Sequence, residues 1–208
     1  CPALVHEVTG WVASVAEIMA AIEKDTSFYD QSGGGVTFSG GEPLAQPDFL
    51  FSLLKACEGK SIHTAVDTTC FAPTERLIQI AAHSRLFLCD LKHMDPAMHK
   101  KYTGVDNELI LHNIRILVRG GNSVRVRIPL IPGFNDDEEN LTASAAFIQE
   151  LGDVDGIDVL PYHQTARSKY AKLGSVYPGD SIELTGDARV SRAVSVLGQT
   201  GLDVAVGG

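Results

Sequence analysis

The 208-residue sequence predicts an α/β fold, either a doubly wound sheet or a barrel of (β/α) units. Three observations lead there. Helical and strand patterns alternate along the chain, and the helices are long enough for parallel crossovers. Segments such as Leu86-Phe87-Leu88-Cys89 are apolar on both faces, as expected of strands covered by helices on one side and facing a barrel interior on the other. Polar residues gather where successive strands end: Glu42, Asp67 with Thr68, Asp90 with Lys92, Arg127 and His163. In parallel α/β folds those C-terminal strand ends form one rim, and ligands bind there.

The elements follow in order. Ser14 predicts the N-cap of a helix over 15–24, with Glu17 at the capping-box position and Val15, Ile18, Met19 and Ile22 on one face. A short strand, Val36-Thr37-Phe38-Ser39, then runs into Gly40-Gly41-Glu42-Pro43. Glycines at a strand end let the backbone approach a ligand, and proline fixes the exit. A helix over 48–57 closed by Gly59 is followed by a strand over 63–69 and a helix over 75–82 started by Thr74. A strand over 86–92 leads through Asp95-Pro96 to a short helix, then to a helix over 107–118 stopped by Gly120-Gly121. The strand over 124–131 carries Arg125 and Arg127 and breaks at Pro132-Gly133. An acid-capped helix over 136–151, the arrangement a helix dipole favours, precedes a strand over 157–163. A last helix over 187–197 stands ahead of an apolar tail at 202–206. Five strands are counted in this way.

Composition narrows the function classes. The net charge of −9 argues against a nucleic-acid partner, whose affinity rests on Lys and Arg neutralising phosphates. No apolar run approaches the roughly 20 residues that span a bilayer, so no membrane is expected. Four cysteines without paired spacing point to a reducing cytoplasm. Cys57, Cys70 and Cys89 read as inert thiols, and His63, His83, His93, His99 and His112 show no metal-ligand spacing.

Period-two geometry sorts the rim residues. Leu88, Asp90 and Lys92 share one strand face, so both charges reach the mouth while Cys89 packs under a helix. Arg125 and Arg127 share a face, with Arg127 nearer the mouth. Each residue also has a plainer structural role open to it: Asp90 and Lys92 as an ion pair, Arg127 as partner to a neighbouring acid, His163 as a satisfied ring beside Pro161.

Taken together, residues 33–44 (GGGVTFSGGEPL), Asp67-Thr68, Asp90-Leu91-Lys92, Arg127 with Ile-Pro-Leu-Ile-Pro-Gly-Phe-Asn-Asp-Asp after it, and Leu160-Pro161-Tyr162-His163 resemble the glycyl radical enzyme activating enzymes. These belong to the radical S-adenosylmethionine (SAM) superfamily. The resemblance covers nearly the whole chain and implies a partial (β/α)6 TIM-like barrel, lacking its first strand in this chain. It implies that Gly40, Gly41 and Glu42 hold the amino end of SAM, by backbone and carboxylate. Asp90, Leu91 and Lys92 would contact its ribose and carboxylate side, and Arg127 and His163 would line the nucleoside pocket. Asp67 and Thr68 would sit at a monovalent cation site. A zwitterionic, cationic ligand does need acids for its ammonium and a base for its carboxylate. The implied chemistry belongs to the cofactors: a [4Fe-4S] cluster cleaves SAM reductively, and the resulting 5′-deoxyadenosyl radical takes a hydrogen atom from a glycine of a partner glycyl radical enzyme. An electron donor such as flavodoxin or ferredoxin is implied too.

The sequence departs from that pattern at the cluster. The family's Cys-x3-Cys-x2-Cys loop is absent from these 208 residues. Cys1-Pro2 fits the last ligand of a ferredoxin-like insertion that many members carry, so the resemblance implies that Cys1 is an accessory [4Fe-4S] ligand and that residues 1–10 are a remnant of the insertion. Residues 11–208 then form the barrel. Cys70 stands near a position where many members have glycine. Two other functions are weighed: a SAM-binding or scaffold domain that has lost its cluster, and a barrel decarboxylase of the orotidine-phosphate type, suggested by the Asp90, Lys92, Asp95 charge array.

Overall fold

The computed structural model describes residues 11–164, 167–172 and 174–207. The proposed remnant at 1–10, with Cys1, lies outside them. The chain enters through α1 (Val15–Ile22) and α2 (Thr26–Ser32). Ser14 caps α1 as expected: its hydroxyl accepts from the Glu17 amide, and its own amide donates to the Glu17 carboxylate at 2.8 Å.

Among the described residues six strands follow: β1 (Gly35–Phe38), β2 (His63–Thr68), β3 (Leu86–Asp90), β4 (Ser123–Leu130), β5 (Gly156–Pro161) and β6 (Val204–Val206). Each is hydrogen-bonded to the next in sequence order, and every pairing is parallel. A doubly wound sheet reverses its strand order at a switch point. This sheet has no reversal, so the barrel-type winding is the one adopted. The sixth strand is the apolar tail, whose three strand residues are too few to show a period-two signature.

Helices α3 (Pro47–Glu58), α4 (Thr74–Ala81), α6 (Glu108–Arg119), α7 (Glu138–Leu151) and α9 (Asp187–Leu197) are crossovers after β1 to β5. Two further helices, α5 (Pro96–Thr103) and α8 (Arg167–Lys172), lie in the connections after β3 and β5. Alternation decides what each strand buries. Along β4, Val124, Val126, Ile128 and Leu130 are buried, and Arg125 and Arg127 take the other face. Leu54 of α3, Leu77 of α4, Ile114 of α6 and Ile148 of α7 are fully enclosed with Val66, Phe87 and Val126. Burying each large side chain contributes about 1.5–3 kcal/mol, so this layer dominates the fold's stability.

One ion pair closes the barrel face below the rim. Arg125 forks onto Asp158 at 2.6 and 3.2 Å, and Asp158 is only 7% exposed. The guanidinium lies against Gly156 of β5, where a Cβ would come within 2.8 Å of it. Its φ of +152° is what calls for glycine there, since the guanidinium ends a flexible side chain and can shift.

Candidate functional site

At the mouth, the polar strand ends sort into two hydrogen-bonded groups. The first is centred on Arg127 of β4. Its Nη2 donates to Asp67 Oδ1 of β2 at 2.6 Å and to Asp90 Oδ1 of β3 at 3.0 Å. Ser39, just past β1, donates to Asp67 Oδ2 at 3.0 Å, and Lys92 Nζ lies 3.7 Å from Asp90 Oδ2. Strand register explains the meeting, because Asp90 and Arg127 are direct neighbours across β3 and β4. Burial opposes the charge on Arg127, and the adjoining Asp90 and Asp67 outweigh it and raise its pKa. For Asp90 the balance runs the other way. Burial pushes its carboxyl above the ordinary value despite the pull of Lys92 and Arg127. Asp90 is thus an under-compensated acid at the mouth.

The second group is centred on Glu42, which follows the Gly40-Gly41 turn. Its carboxylate accepts from the Leu44 amide, the Thr68 hydroxyl, and both the amide and hydroxyl of Thr69. Asp67 and Thr68, expected to share a cation site, face different groups. Leu91 is 2% exposed, so its side chain belongs to the core, and its amide donates to the Arg127 carbonyl at 2.8 Å. His163 is exposed, two residues beyond β5. The Asp95 carboxylate caps α5 by accepting from the Met98 amide at 2.7 Å. It is spent on the helix, which removes it from the charge array that suggested a decarboxylase.

Two cavities open at this end. One of about 840 Å³ is lined by Ser39, Gly40, Gly41, Glu42 and Phe49, among others. A smaller one, about 270 Å³, is lined by Glu42, Thr69, Asp90, Lys92 and His99, among others. A Cβ built on Gly40 or Gly41 meets nothing within 4 Å, so this backbone borders open space. A third cavity, about 490 Å³ beside His63, His83 and Arg85, lies at the opposite end of β2.

The donor set fits SAM, with exposed backbone, acids and a half-buried lysine side by side. It does not fit an iron–sulfur cluster. Cys57, Cys70 and Cys89 are fully buried, with Cys70 Sγ 3.2 Å from Cys89 Sγ. Among the described residues, no three His, Cys, Asp or Glu side chains are grouped to hold a metal ion. The Cys70–Cys89 contact and burial raise the Cys70 thiol well above its ordinary value, which disfavours the thiolate needed for ligation. Cys70 also takes a φ of 60°, the left-handed region where glycine is at ease.

Comparison with known proteins sets these features in a class. Residues 1–145 match the family model of the Radical SAM superfamily. Over 99% of its length the chain is 38% identical to a choline trimethylamine-lyase activating enzyme of Oleidesulfovibrio alaskensis, covering 67% of that protein. It is 37% identical over 98% of its length to a trans-4-hydroxy-L-proline dehydratase activating enzyme of Clostridioides difficile, covering 68% of that protein. The crystal structure of a domain of pyruvate-formate lyase-activating enzyme from Bacteroides vulgatus aligns with a TM-score of 0.72 at 38% identity, over 84% of this chain and 99% of that one. The chain belongs to the glycyl radical enzyme activating enzyme family, and it spans about two thirds of the length of these curated relatives.

Proposed function

We propose that the strand-end rim binds SAM, and that the full-length protein installs a radical on a glycine of a partner glycyl radical enzyme. What carries this reading is the open Gly40-Gly41 backbone beside the half-buried Asp90, Lys92 and Arg127 array, in a chain of this family. The backbone of Gly40 and Gly41 would receive the ammonium of SAM. Lys92 would pair with its carboxylate and Asp90 with its ribose, and Arg127, held by Asp67 and Asp90, would border the nucleoside with His163. The amide of Leu91 is already bonded and its side chain is buried, so a contact from Leu91 to SAM would come from its carbonyl. An under-compensated Asp90 suits a cationic ligand, which would lower its electrostatic cost. SAM and a [4Fe-4S] cluster supply the hydrogen-abstracting chemistry, and the residues here bind and orient SAM. A monovalent cation beside Asp67 would share that carboxylate with Arg127 and Ser39. Accessory clusters, Cys1 ligation and a flavodoxin- or ferredoxin-type electron donor extend the proposal to the whole protein. Identity is nearly equal, 38% and 37%, to relatives named for different partners, so identity singles out no one partner.

In the full-length protein, Lys92→Ala should weaken SAM binding by roughly 1.5–3 kcal/mol, the loss of one charge-assisted contact. Isothermal titration tests this, and an unchanged dissociation constant would reject the assignment. The 208-residue chain alone, anaerobically reconstituted, should form no 5′-deoxyadenosine, since its buried thiols cannot hold the radical cluster. Turnover by this chain would refute that expectation.

A further inference from the structure

The Glu42 carboxylate is filled by its own chain. An ionised carboxylate offers about four lone-pair sites. Here Oε1 accepts from Leu44 N at 3.0 Å and Thr68 Oγ1 at 2.6 Å, and Oε2 accepts from Thr69 N at 2.9 Å and Thr69 Oγ1 at 2.6 Å. The hydroxyls have their direction set from the other side. Thr68 Oγ1 accepts from the Cys70 amide at 3.0 Å, and Thr69 Oγ1 accepts from the Phe71 amide at 3.3 Å. A hydroxyl has one proton, and with amides pointing in at each oxygen that proton goes to Glu42. The result ties the loop after β2 to the glycine turn after β1.

We propose that Thr68 and Thr69 are positioning residues for SAM binding. They fix Glu42, and Glu42 fixes the Gly40-Gly41 backbone, so the carboxylate acts on the ligand through the turn it holds and not by direct contact. This rests on the reading of the rim as a SAM site. Thr69 is the sharper probe, because both of its bonds to Glu42 fall on one oxygen and only one of them is removed by substitution.

The test measures radiolabelled SAM affinity by equilibrium dialysis on the full-length protein. Thr69→Val keeps the shape and the amide and deletes the hydroxyl, and Thr69→Ser restores it. Valine should weaken SAM affinity about tenfold, and serine should remain within about twofold of the parent, the difference of one hydrogen bond to a charged group. Glu42→Gln should cause a similar loss, because an amide offers only one acceptor oxygen. The double variant Glu42→Gln, Thr69→Val should then be no worse than either single one, since both break one unit. Thermal midpoints of all variants are recorded so that affinity is compared among folded proteins, with Thr69→Ala in place of valine if valine does not fold. Equal affinity for valine and parent would overturn the inference, as would equal losses for valine and serine. Additive losses in the double variant would overturn it too, by placing Glu42 in independent contact with SAM. A parent protein with no measurable SAM affinity would overturn the functional reading itself, and the inference with it.

Discussion

At the scale of single residues, the buried histidines and thiols give the sharpest tests. The His93 ring is 6% exposed, and its Nδ1 accepts from the Asp95 amide at 3.0 Å, which requires the neutral ring. Burial lowers its pKa below the ordinary 6.5, against the pull of Asp137 and Asp95. The unfolded chain therefore takes up a proton here before the folded one does. His93 contributes stability that is present above pH 6.5 and lost as pH falls from there through the folded pKa. We expect the thermal midpoint to drop between pH 7 and pH 5 less steeply in His93→Gln than in the parent, and identical slopes would contradict this. Cys57, Cys70 and Cys89, all fully enclosed, should escape iodoacetamide in the folded protein and label on unfolding, as read by mass spectrometry. Rapid native labelling of Cys70 or Cys89 would contradict the burial. Much at this scale was legible: the Ser14–Glu17 capping box, and the parity that sends Asp90 to the mouth and Cys89 into the core. What was not legible is the saturation of Glu42, because its hydroxyl partners lie 26 and 27 residues away. No local pattern carries such a pairing.

Among elements, Arg127 is the tie. It links β4 to Asp90 on β3 and to Asp67 on β2, and all three side chains are at most 20% exposed. Removing the cation strands two half-buried acids near each other, and breaking such a pair costs roughly 3–5 kcal/mol. Urea unfolding of Arg127→Met should show a loss of that order, and a loss below about 1 kcal/mol, the range of an exposed pair, would contradict the tie. The strands themselves were readable because each carries a period-two or doubly apolar run. Among the described residues, three labelled elements were not: α2, α8 and β6. The helix α8 spans only six residues, too few for a helical period to show. The helix α2 (Thr26–Ser32) has no buried residue, so no apolar face announces it. In β6 (Val204–Val206), three residues suffice once β5 offers a free edge, and three residues carry no period. The β6 strand thus arises from the edge that β5 provides and not from local preference.

Across the whole molecule, sequential parallel winding brings the ends of β1 to β4 to one mouth, and the polar residues there are bound to one another before any ligand arrives. Under the proposed function, such a preorganised rim would receive SAM without reorganising its charges. The family's shared architecture explains why the rim was readable from dispersed short motifs, each of which falls at a strand end. The measurement that bears most directly on the proposed function is electron paramagnetic resonance of the full-length protein, reduced anaerobically with SAM and mixed with the glycyl radical enzymes of its source organism. We expect an organic radical on one of them that disappears when its acceptor glycine is replaced by alanine and is weakened by Lys92→Ala in the activating protein. SAM bound and consumed with no glycine-dependent radical on any of those enzymes would contradict it.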